Sequence, residues 1–438
     1  MKKSGFYLEI DVTVPYRCIR VHCPNPINNF GSSSEVSTTI EQANSAQHLP
    51  NGLRAIPGSI WALGSVSMFA DISSEMIHSL LPVFLVSVLG ASTLAVGLIE
   101  GIAESTALIT KVFSGTLSDY LGRRKLLTTL GYGLAACTKP LFPLAPSVAW
   151  VVTARFIDRI GKGIRGAPRD ALIGDIAPLH LRGACYGLRQ SLDTVGAFAG
   201  PLFAAMLMAL TLNSFRTVFW IAVIPAFLAL ALMIFVKEPE NVQLASQLRS
   251  PIRGADFRQL GTAYWWLVLI AAVLTLARFS EAFLVLRAQN IGLPVALVPL
   301  VLVVMNVAYA ASAYPAGHLS DRMDRRLVLA AGFGVLIASD VVLALATGVW
   351  EVMAGVTLWG LHMGLTQGLL AALVADTTPS RLRGTAFGVF NLTSGITMLI
   401  ASLLAGGLWD QHGPQATFYA GAGFTTVALF GLMMRRPG

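Results

Sequence analysis

Apolar runs of about 20 residues recur along this 438-residue chain and restrict what it can fold into. Hydrophobic residues make up 55% of the chain and charged residues only 12%, against about 25% charged residues in a typical soluble domain. A helix of about 20 apolar residues crosses the roughly 30 Å hydrocarbon layer of a bilayer. Because lipid offers no hydrogen-bond partners, the backbone must satisfy its polar groups internally. The alternating segments of a membrane barrel are missing from the sequence, so an all-α membrane protein is predicted.

Twelve transmembrane helices are predicted, six on each side of a polar linker. The first six are placed at 59–87, 93–117, 126–145, 148–165, 184–211 and 217–236. The second six are placed at 262–286, 294–317, 327–347, 350–374, 385–409 and 417–434. Residues 1–56 are polar and are predicted to be a disordered cytoplasmic tail, with an over-extended gene start as the alternative. The linker at 237–261 is expected to be cytoplasmic.

The basic residues indicate the orientation of the chain in the membrane. A formal net charge of +8 suggests nucleic acid as a partner, but Arg and Lys lie mainly in short loops, so nucleic acid is excluded. The basic loops at 118–125, 166–183, 320–326 and 375–384 all fall on the same side as the linker when the helix count is even. Because Lys and Arg stay on the cytoplasmic side, both termini are predicted to be cytoplasmic.

Two segments of the first half occur again in the second half. Segment 115–125 reads G-T-L-S-D-Y-L-G-R-R-K, and segment 317–326, which begins 202 residues later, reads G-H-L-S-D-R-M-D-R-R. Segments 171–183 and 372–384 share the pattern A-L-x-x-D-x-x-P-x-x-L-R-G at a separation of 201 residues. Since each half has six helices, both halves enter the membrane from the same side. They are therefore predicted to be parallel repeats, with a binding site near mid-membrane between them.

These motifs resemble those of the major facilitator superfamily (MFS). Segment 115–125 closely matches that family's G-x-L-[SA]-D-x-x-G-R-[RK] loop, and the second copy departs from it at Asp324, where the motif has glycine. Segment 159–167 is similar to the helix-4 signature R-x-x-Q-G-x-G, with Lys162 in place of the glutamine. Segment 196–201 resembles the helix-5 signature of proton antiporters without its trailing glycines. The stretch 159–175 looks like a prokaryotic branch of the family.

The resemblance covers nearly all of the chain from about residue 57 and implies the MFS fold. It implies a monomeric secondary transporter of a prokaryotic inner membrane that works by alternating access. Its expected partners are a small-molecule substrate and the lipid bilayer. The helix-5 resemblance favours export by proton antiport.

Charged residues inside the predicted helices are the candidate functional residues, because a charge within a bilayer is costly. Asp71, Glu75 and His78 share one face of the first helix, at i, i+4 and i+7. The predicted proton-coupling and substrate cavity consists of twelve such residues: Asp71, Glu75, His78, Glu100, Glu104, Arg155, Asp158, Arg159, Arg189, Asp193, Arg278 and Glu281. Burial favours a protonated carboxyl group and a nearby arginine favours the carboxylate, so such a network can take up and release protons.

Each of these interpretations has an alternative. The charges could form static ion pairs between helices, and Lys162 and Arg165 could extend to the cytoplasmic interface. Lys139 could contact the substrate or extend to the outer interface. The repeated loop is predicted to be a cytoplasmic gate, although its charges could serve topology alone. The gate residues are Gly115, Asp119, Gly122, Arg123, Arg124, Asp321, Arg325 and Arg326. Gly196 and Gly200 are expected to be close-packing sites between helices.

The leading hypothesis is a proton-coupled transporter of a small organic solute or drug-like compound, driven by the proton gradient without a cofactor. Because Asp71, Glu75 and His78 offer oxygen and nitrogen ligands, a metal ion or metal chelate is the alternative substrate. No Cys or His cluster indicates a resident metal site. A membrane sensor that has lost transport is a third hypothesis. The sequence has no nucleophile–base set and no nucleotide-binding loop, so no enzyme activity is predicted.

Overall fold

The computed structural model describes residues 55–178, 181–238, 259–379 and 382–434, and these ranges form helices and no strands. The helices of the first half are α1 Gly58–His78, α2 Leu81–Ser87, α3 Thr93–Leu121, α4 Arg124–Thr138, α5 Val148–Ile176, α6 Arg182–Leu210 and α7 Phe215–Leu232. Those of the second half are α8 Thr262–Ala277, α9 Ala282–Asn290, α10 Leu300–Arg322, α11 Arg325–Leu345, α12 Val349–Asp376, α13 Arg383–His412 and α14 Pro414–Met434. The predicted tail at 1–56 and the linker lie almost entirely outside the described residues.

The described helices make the twelve predicted membrane crossings, since α1 with α2, and α8 with α9, each form a single crossing. Ten of the crossings in the described ranges are long and apolar enough to span a membrane by length and composition. The other two are α4, which is followed by a 3-10 turn at Lys139–Leu141, and α5. The charges of α5 lower its hydropathy, yet Arg155, Asp158 and Arg159 are buried against neighbouring helices rather than exposed to lipid.

The first crossing of each half is broken, whereas the sequence predicted two continuous helices at 59–87 and 262–286. α1 ends at His78 and α2 begins at Leu81, with Pro82 in the first turn of α2. Proline has no N–H group to continue the hydrogen bonding of α1, but it is tolerated in the first turn of a new helix. The second break, between Ala277 and Ala282, lies at the equivalent point of the second half. Unpaired backbone is tolerated at membrane depth only within protein or beside a water-filled cavity, so both breaks indicate an internal site.

Several helices extend beyond their predicted ends. α5 continues to Ile176 with Pro168 inside it, whereas the prediction ended this helix at 165, where polar residues begin. A helix can continue outside the hydrocarbon layer, where polar side chains are no longer costly, so hydropathy alone misplaced the end of α5.

The end of the bundle that holds the α3–α4 loop, with Gly122 and Arg123, is called the basic end below. The end that holds the α2–α3 loop is called the opposite end.

α6 packs closely on α1 and so positions two of the candidate carboxylates. A Cβ atom placed on Gly196 would lie 3.0 Å from the Cβ atom of Asp71. One placed on Gly200 would lie 2.7 Å from the Cβ atom of Glu75. The prediction that these glycines are close-packing sites is confirmed, because a larger residue at either position would push α6 away from α1.

Candidate substrate cavity and charge network

A cavity of about 260 Å³ lies between the two halves, at mid-height of the long helices. It is lined by Glu75, His78, Glu104, Arg159 and Lys162 of the first half and by Arg278, Phe279, Ser280, Glu281, Trp359 and Met398 of the second half. Both helix breaks border it. Of the twelve residues predicted for the cavity, the structure places six in its lining: Glu75, His78, Glu104, Arg159, Arg278 and Glu281.

His78 lies between two carboxylates at the break in the first crossing. Its Nδ1 atom is 3.3 Å from Glu75 Oε2, and its Nε2 atom is 3.3 Å from Glu100 Oε2. Arg155 Nη2 donates to the same oxygen of Glu100 at 2.9 Å. Only a protonated imidazole can donate from both ring nitrogens at once, so this cluster is built to hold or release one proton.

Two further ion pairs flank this cluster. Arg159 Nη1 lies 3.0 Å from Glu104 Oε1 at the wall of the cavity. Lys139 is buried, and its Nζ atom donates to Asp158 Oδ1 at 2.8 Å and to Ser74 Oγ at 3.1 Å. The interpretation that Lys139 extends to the outer interface is therefore wrong, because a carboxylate on α5 holds its ammonium group inside the half.

The network continues toward the basic end through residues that do not line the cavity. Arg165 Nη2 lies 4.0 Å from Asp71 Oδ1, and its guanidinium group stacks on the Tyr132 ring, 4.4 Å from the centroid. Arg165 is buried, so the interpretation that it extends to the interface is also wrong. On α6, Arg189 pairs with Asp193 one turn away.

Three charged groups of the cavity differ from the rest because they have no ion-pair partner. In the described part of the chain, no carboxylate lies within 4.0 Å of the charged groups of Lys162 or Arg278, and no basic group lies within 4.0 Å of Glu281. The interpretation that Lys162 extends to the interface is wrong, because its side chain lines the cavity. These three side chains are therefore the ones available to a solute.

The two halves are joined at the opposite end by a helix cap that the sequence did not reveal. Asp410 of α13 accepts hydrogen bonds from the backbone N–H groups of Thr93, at 3.1 Å, and Leu94, at 2.9 Å. A carboxylate of one half thus caps the first turn of α3 in the other half, where the helix dipole favours negative charge. The only signal in the sequence was an acid near the end of a predicted helix, in a region otherwise poor in charge.

Other hydrogen bonds between the halves also lie between mid-height and the opposite end. Gln289 Nε2 donates to Ser87 Oγ at 2.8 Å, and Asn306 Nδ2 donates to the carbonyl of Ala197 at 3.3 Å. Within the described ranges, no hydrogen bond joins the halves nearer to the basic end.

The distance between the halves grows toward the basic end. Where α3 crosses α13 near mid-height, a Cβ atom on Gly101 would lie 3.1 Å from the Cα atom of Leu399. Closer to the basic end, one on Gly388 would meet nothing nearer than the Val112 side chain at 3.7 Å. The described contacts that hold the halves together are therefore tighter toward the opposite end than toward the basic end.

Among its described side chains, the predicted gate has two ion pairs, and each of these lies within its own half. Arg124 Nη1 donates to Asp175 Oδ2 at 2.7 Å, and Arg325 pairs with Asp376. Both members of the pair recur at a separation of 201 residues, whereas the loop motif recurs at 202. Arg325 therefore occupies the structural position that Arg124 has in the first half. Alignment of the loop motifs would instead match Arg124 with Arg326.

The departure of the second loop from the motif has a structural reason. Gly122 ends α3 in a left-handed conformation with φ of 62°, which favours glycine. Asp324 instead precedes α11 with φ of −59°, and its side chain accepts a hydrogen bond from the Arg326 N–H group at 2.9 Å. The side chains of Asp119 and Asp321 lie outside the part of the molecule that the structure describes, so their predicted gate role stays a prediction.

The remaining charges of the second half lie away from the cavity. Arg287 is buried, and its guanidinium group donates to the carbonyls of Leu343, at 3.0 Å, and Ala346, at 2.8 Å, at the end of α11. Asp340 is buried between α11 and α14, and neither of its oxygens has a hydrogen-bond partner among the described residues. Neither group touches the charge network of the first half.

Two six-helix halves around one charged central cavity define the fold of a secondary transporter. The chain belongs to the Major Facilitator Superfamily, whose model matches residues 63–287 and 267–438. It is 33% identical to an uncharacterized MFS-type transporter of Methanocaldococcus jannaschii, over 84% of this chain and 92% of that protein. It is 25% identical to the class C tetracycline resistance protein of Escherichia coli, over 66% of this chain and 74% of that protein. A solved nucleoside transporter shares the fold with a TM-score of 0.74 at 12% identity, over 86% of this chain and 99% of that one.

Proposed function

We propose that this protein is a proton-coupled secondary transporter that exports a small organic solute by alternating access. The observation that carries the proposal is the cavity between the halves, which is lined by ionisable groups of both halves and, among the described residues, has hydrogen bonds between the halves only on the side of the opposite end. A solute can enter from the basic end in this conformation. It leaves at the opposite end once the contacts around Asp410 separate and the basic end closes.

The ion pairs of the first half supply a means of coupling. Glu75, Glu100 and Glu104 each contact a cationic or protonatable partner in this conformation. A nearby arginine favours the ionised form of a buried carboxyl group, and loss of that partner favours the protonated form. Rocking one half against the other moves helices relative to each other, so it changes these contacts and loads or unloads a proton.

The direction of transport rests on the charge of the loops. Under the positive-inside rule we take the basic end and both termini to be cytoplasmic, so that this conformation faces the cytoplasm. A prokaryotic inner membrane is the location that we propose. The similarity to a tetracycline resistance protein supports a drug-like or other small organic solute and export. One chain contains both halves and the whole cavity, which supports a monomer as the working unit.

A metal ion or chelate is the weaker candidate for the substrate. Among the described residues, no group of three or more His, Cys, Asp or Glu side chains is arranged to hold a metal ion. The two nitrogens of His78 face different carboxylates, so they do not converge on one ligand position. A sensor that has lost transport would need neither a cavity with unpaired charges nor contacts that close only one end.

Proteoliposomes with a pH-sensitive dye in the lumen test the coupling. We expect an added transported solute to move protons with the wild-type protein, and Glu75→Gln to abolish this movement while solute binding persists. Asp340→Asn is the matched control, since it makes the same chemical change at a buried acid away from the cavity, and it should keep coupling. Coupled proton movement with Glu75→Gln equal to that of the wild type would refute the proposal. A metal-sensitive dye in the same vesicles would reveal metal transport instead.

A further inference from the structure

The cavity contains more positive charge than its own acids neutralise. Arg159 has Glu104 at 3.0 Å, and His78 has two carboxylates at 3.3 Å. After these pairs, Lys162 and Arg278 remain as two unpaired cations, and Glu281 remains as one unpaired acid. With His78 protonated between its two carboxylates, the lining has four positive groups, His78, Arg159, Lys162 and Arg278, against the three carboxylates Glu75, Glu104 and Glu281, which is an excess of one positive charge.

The two unpaired cations belong to different halves. Lys162 is on α5, one turn from Arg159, and Arg278 follows the last residue of α8 at the helix break. Lys139, Arg155 and Arg159 have carboxylate partners between 2.8 and 3.0 Å away, so Lys162 and Arg278 differ from the other basic residues in and around the cavity. Lys162 is exposed to the cavity and Arg278 is half-buried, so both cationic groups are accessible to a ligand of opposite charge, which each of them attracts.

An aromatic wall adjoins these cations on the side of the second half. The rings of Phe279 and Trp359 are 5.4 Å apart and tilted by 49°, and both residues line the cavity. Phe279 directly follows Arg278, so the apolar wall and the cation are contiguous. The volume of about 260 Å³ lies below the roughly 300–1,000 Å³ of pockets for drug-sized ligands, which limits the solute to a small molecule.

We infer that the solute is a small organic monoanion of the carboxylate class, bound between Lys162 and Arg278 with its apolar part against Phe279 and Trp359. The inference names the substrate class of the proposed transporter. Only the statement that the ligand is transported rests on the proposed function, whereas carboxylate binding in the cavity does not. Glu281 opposes a second negative charge on the ligand. Because the two cations belong to different halves, a carboxylate bound to both links the halves across the cavity and favours closure of the basic end.

Binding to the purified full-length protein tests the inference without any transport measurement. The probes are small carboxylates, each paired with its own primary amide and its own primary amine of the same skeleton, and thermal stabilisation is measured for each. We expect the stabilising compounds to be carboxylates, and their amides and amines to be inactive. Stabilisation confined to amines or amides, or no stabilising carboxylate at all, would overturn the inference.

Variants of the two cations show whether binding takes place in this cavity. Lys162→Gln and Arg278→Gln should each weaken carboxylate binding about tenfold or more, since each removes a charged hydrogen-bond donor to the carboxylate. Lys237→Gln removes an exposed lysine outside the cavity and should bind like the wild type. Lys162→Glu should lose carboxylates and gain the matching amines. If Arg278→Gln fails to fold, the two Lys162 variants decide the matter, and unchanged carboxylate binding by both refutes the inference.

The two proposals fail separately. Carboxylate binding that requires Lys162, without proton movement in vesicles, contradicts the proposed coupling and retains the substrate class. Coupled proton movement with a neutral or cationic solute retains the proposed function and refutes the substrate class.

Discussion

Arg155 in the first half and Arg287 in the second are buried to the same extent, and they are held by different partners. Arg155 and Arg287 are both only 2% exposed. Arg155 donates to the carboxylate of Glu100, which can gain a proton, whereas Arg287 donates to carbonyls at the end of α11, which cannot. The same cation at the same burial is thus part of an ionisable network in the first half and part of a fixed helix cap in the second.

This difference extends to the rest of each half. The first half connects acids and bases from α1, α3, α5 and the 3-10 turn after α4 around His78, so a proton or a helix movement at one point changes the neighbouring pairs. The second half presents to the cavity an aromatic wall and the unpaired charges Arg278 and Glu281. We interpret the first half as the coupling half and the second as the half that supplies much of the contact with the solute.

The largest effect is expected when Arg155 or Arg287 is replaced by glutamine. Arg155→Gln leaves Glu100 buried without its cation, so it should lower the free energy of unfolding by roughly 3–5 kcal/mol and abolish proton coupling. Arg287→Gln leaves carbonyls without donors, so it should lower stability by about 1–3 kcal/mol and preserve coupling per folded molecule. Unfolding in detergent and proton movement in vesicles measure the two quantities. Equal loss of coupling in both variants would contradict the assignment of proton coupling to the first half.

A smaller effect is expected at the opposite end, where a cap crosses between the halves. Asp410→Ala removes a helix cap worth about 1 kcal/mol from the contacts that close this end, so the population open at the opposite end should rise about fivefold. Glu351 makes a cap of the same chemistry for α12 within the second half, with Gly348 N at 3.2 Å, so Glu351→Ala is the matched control. Labelling of a cysteine introduced at the closed end measures the opening. An equal response of both variants would show that Asp410 does not hold the halves together.

The smallest effect is expected at the gate pairs of the basic end. The side chains of Arg124 and Asp175 are 18% and 25% exposed, and those of Arg325 and Asp376 are 35% and 56% exposed. Because solvent screens exposed pairs, Arg124→Gln should lower stability by at most about 1 kcal/mol, and Arg325→Gln by less. Thermal unfolding of the two variants, compared in the same detergent, tests this order. A larger loss for Arg325→Gln would mean that the second-half pair contributes more than its exposure allows.

Much of the fold could be predicted because the requirements of membrane insertion apply to each segment of the sequence separately. Apolar run length gave twelve crossings, and the repeated segments gave two parallel halves, both of which the structure confirms. The continuous first crossings and the early end of α5 were wrong, since hydropathy measures neither backbone continuity nor where a helix leaves the membrane. Six predicted residues line the cavity, while others, such as Asp71 and Asp158, belong to the network behind it.

The sequence by itself determined the architecture of this protein, because the cost of exposing backbone and charge to lipid acts on each segment separately. It also named the ionisable residues, since a charge inside an apolar run is visible without neighbours. Only the tertiary structure decided which charges are paired. Lys139 and Lys162 are both lysines within predicted helices, yet one finds Asp158 on an adjacent helix and the other lines an open cavity. Pairing depends on distances between helices that are far apart in the chain, and for that reason the structure distinguishes a structural lysine from one available to a solute.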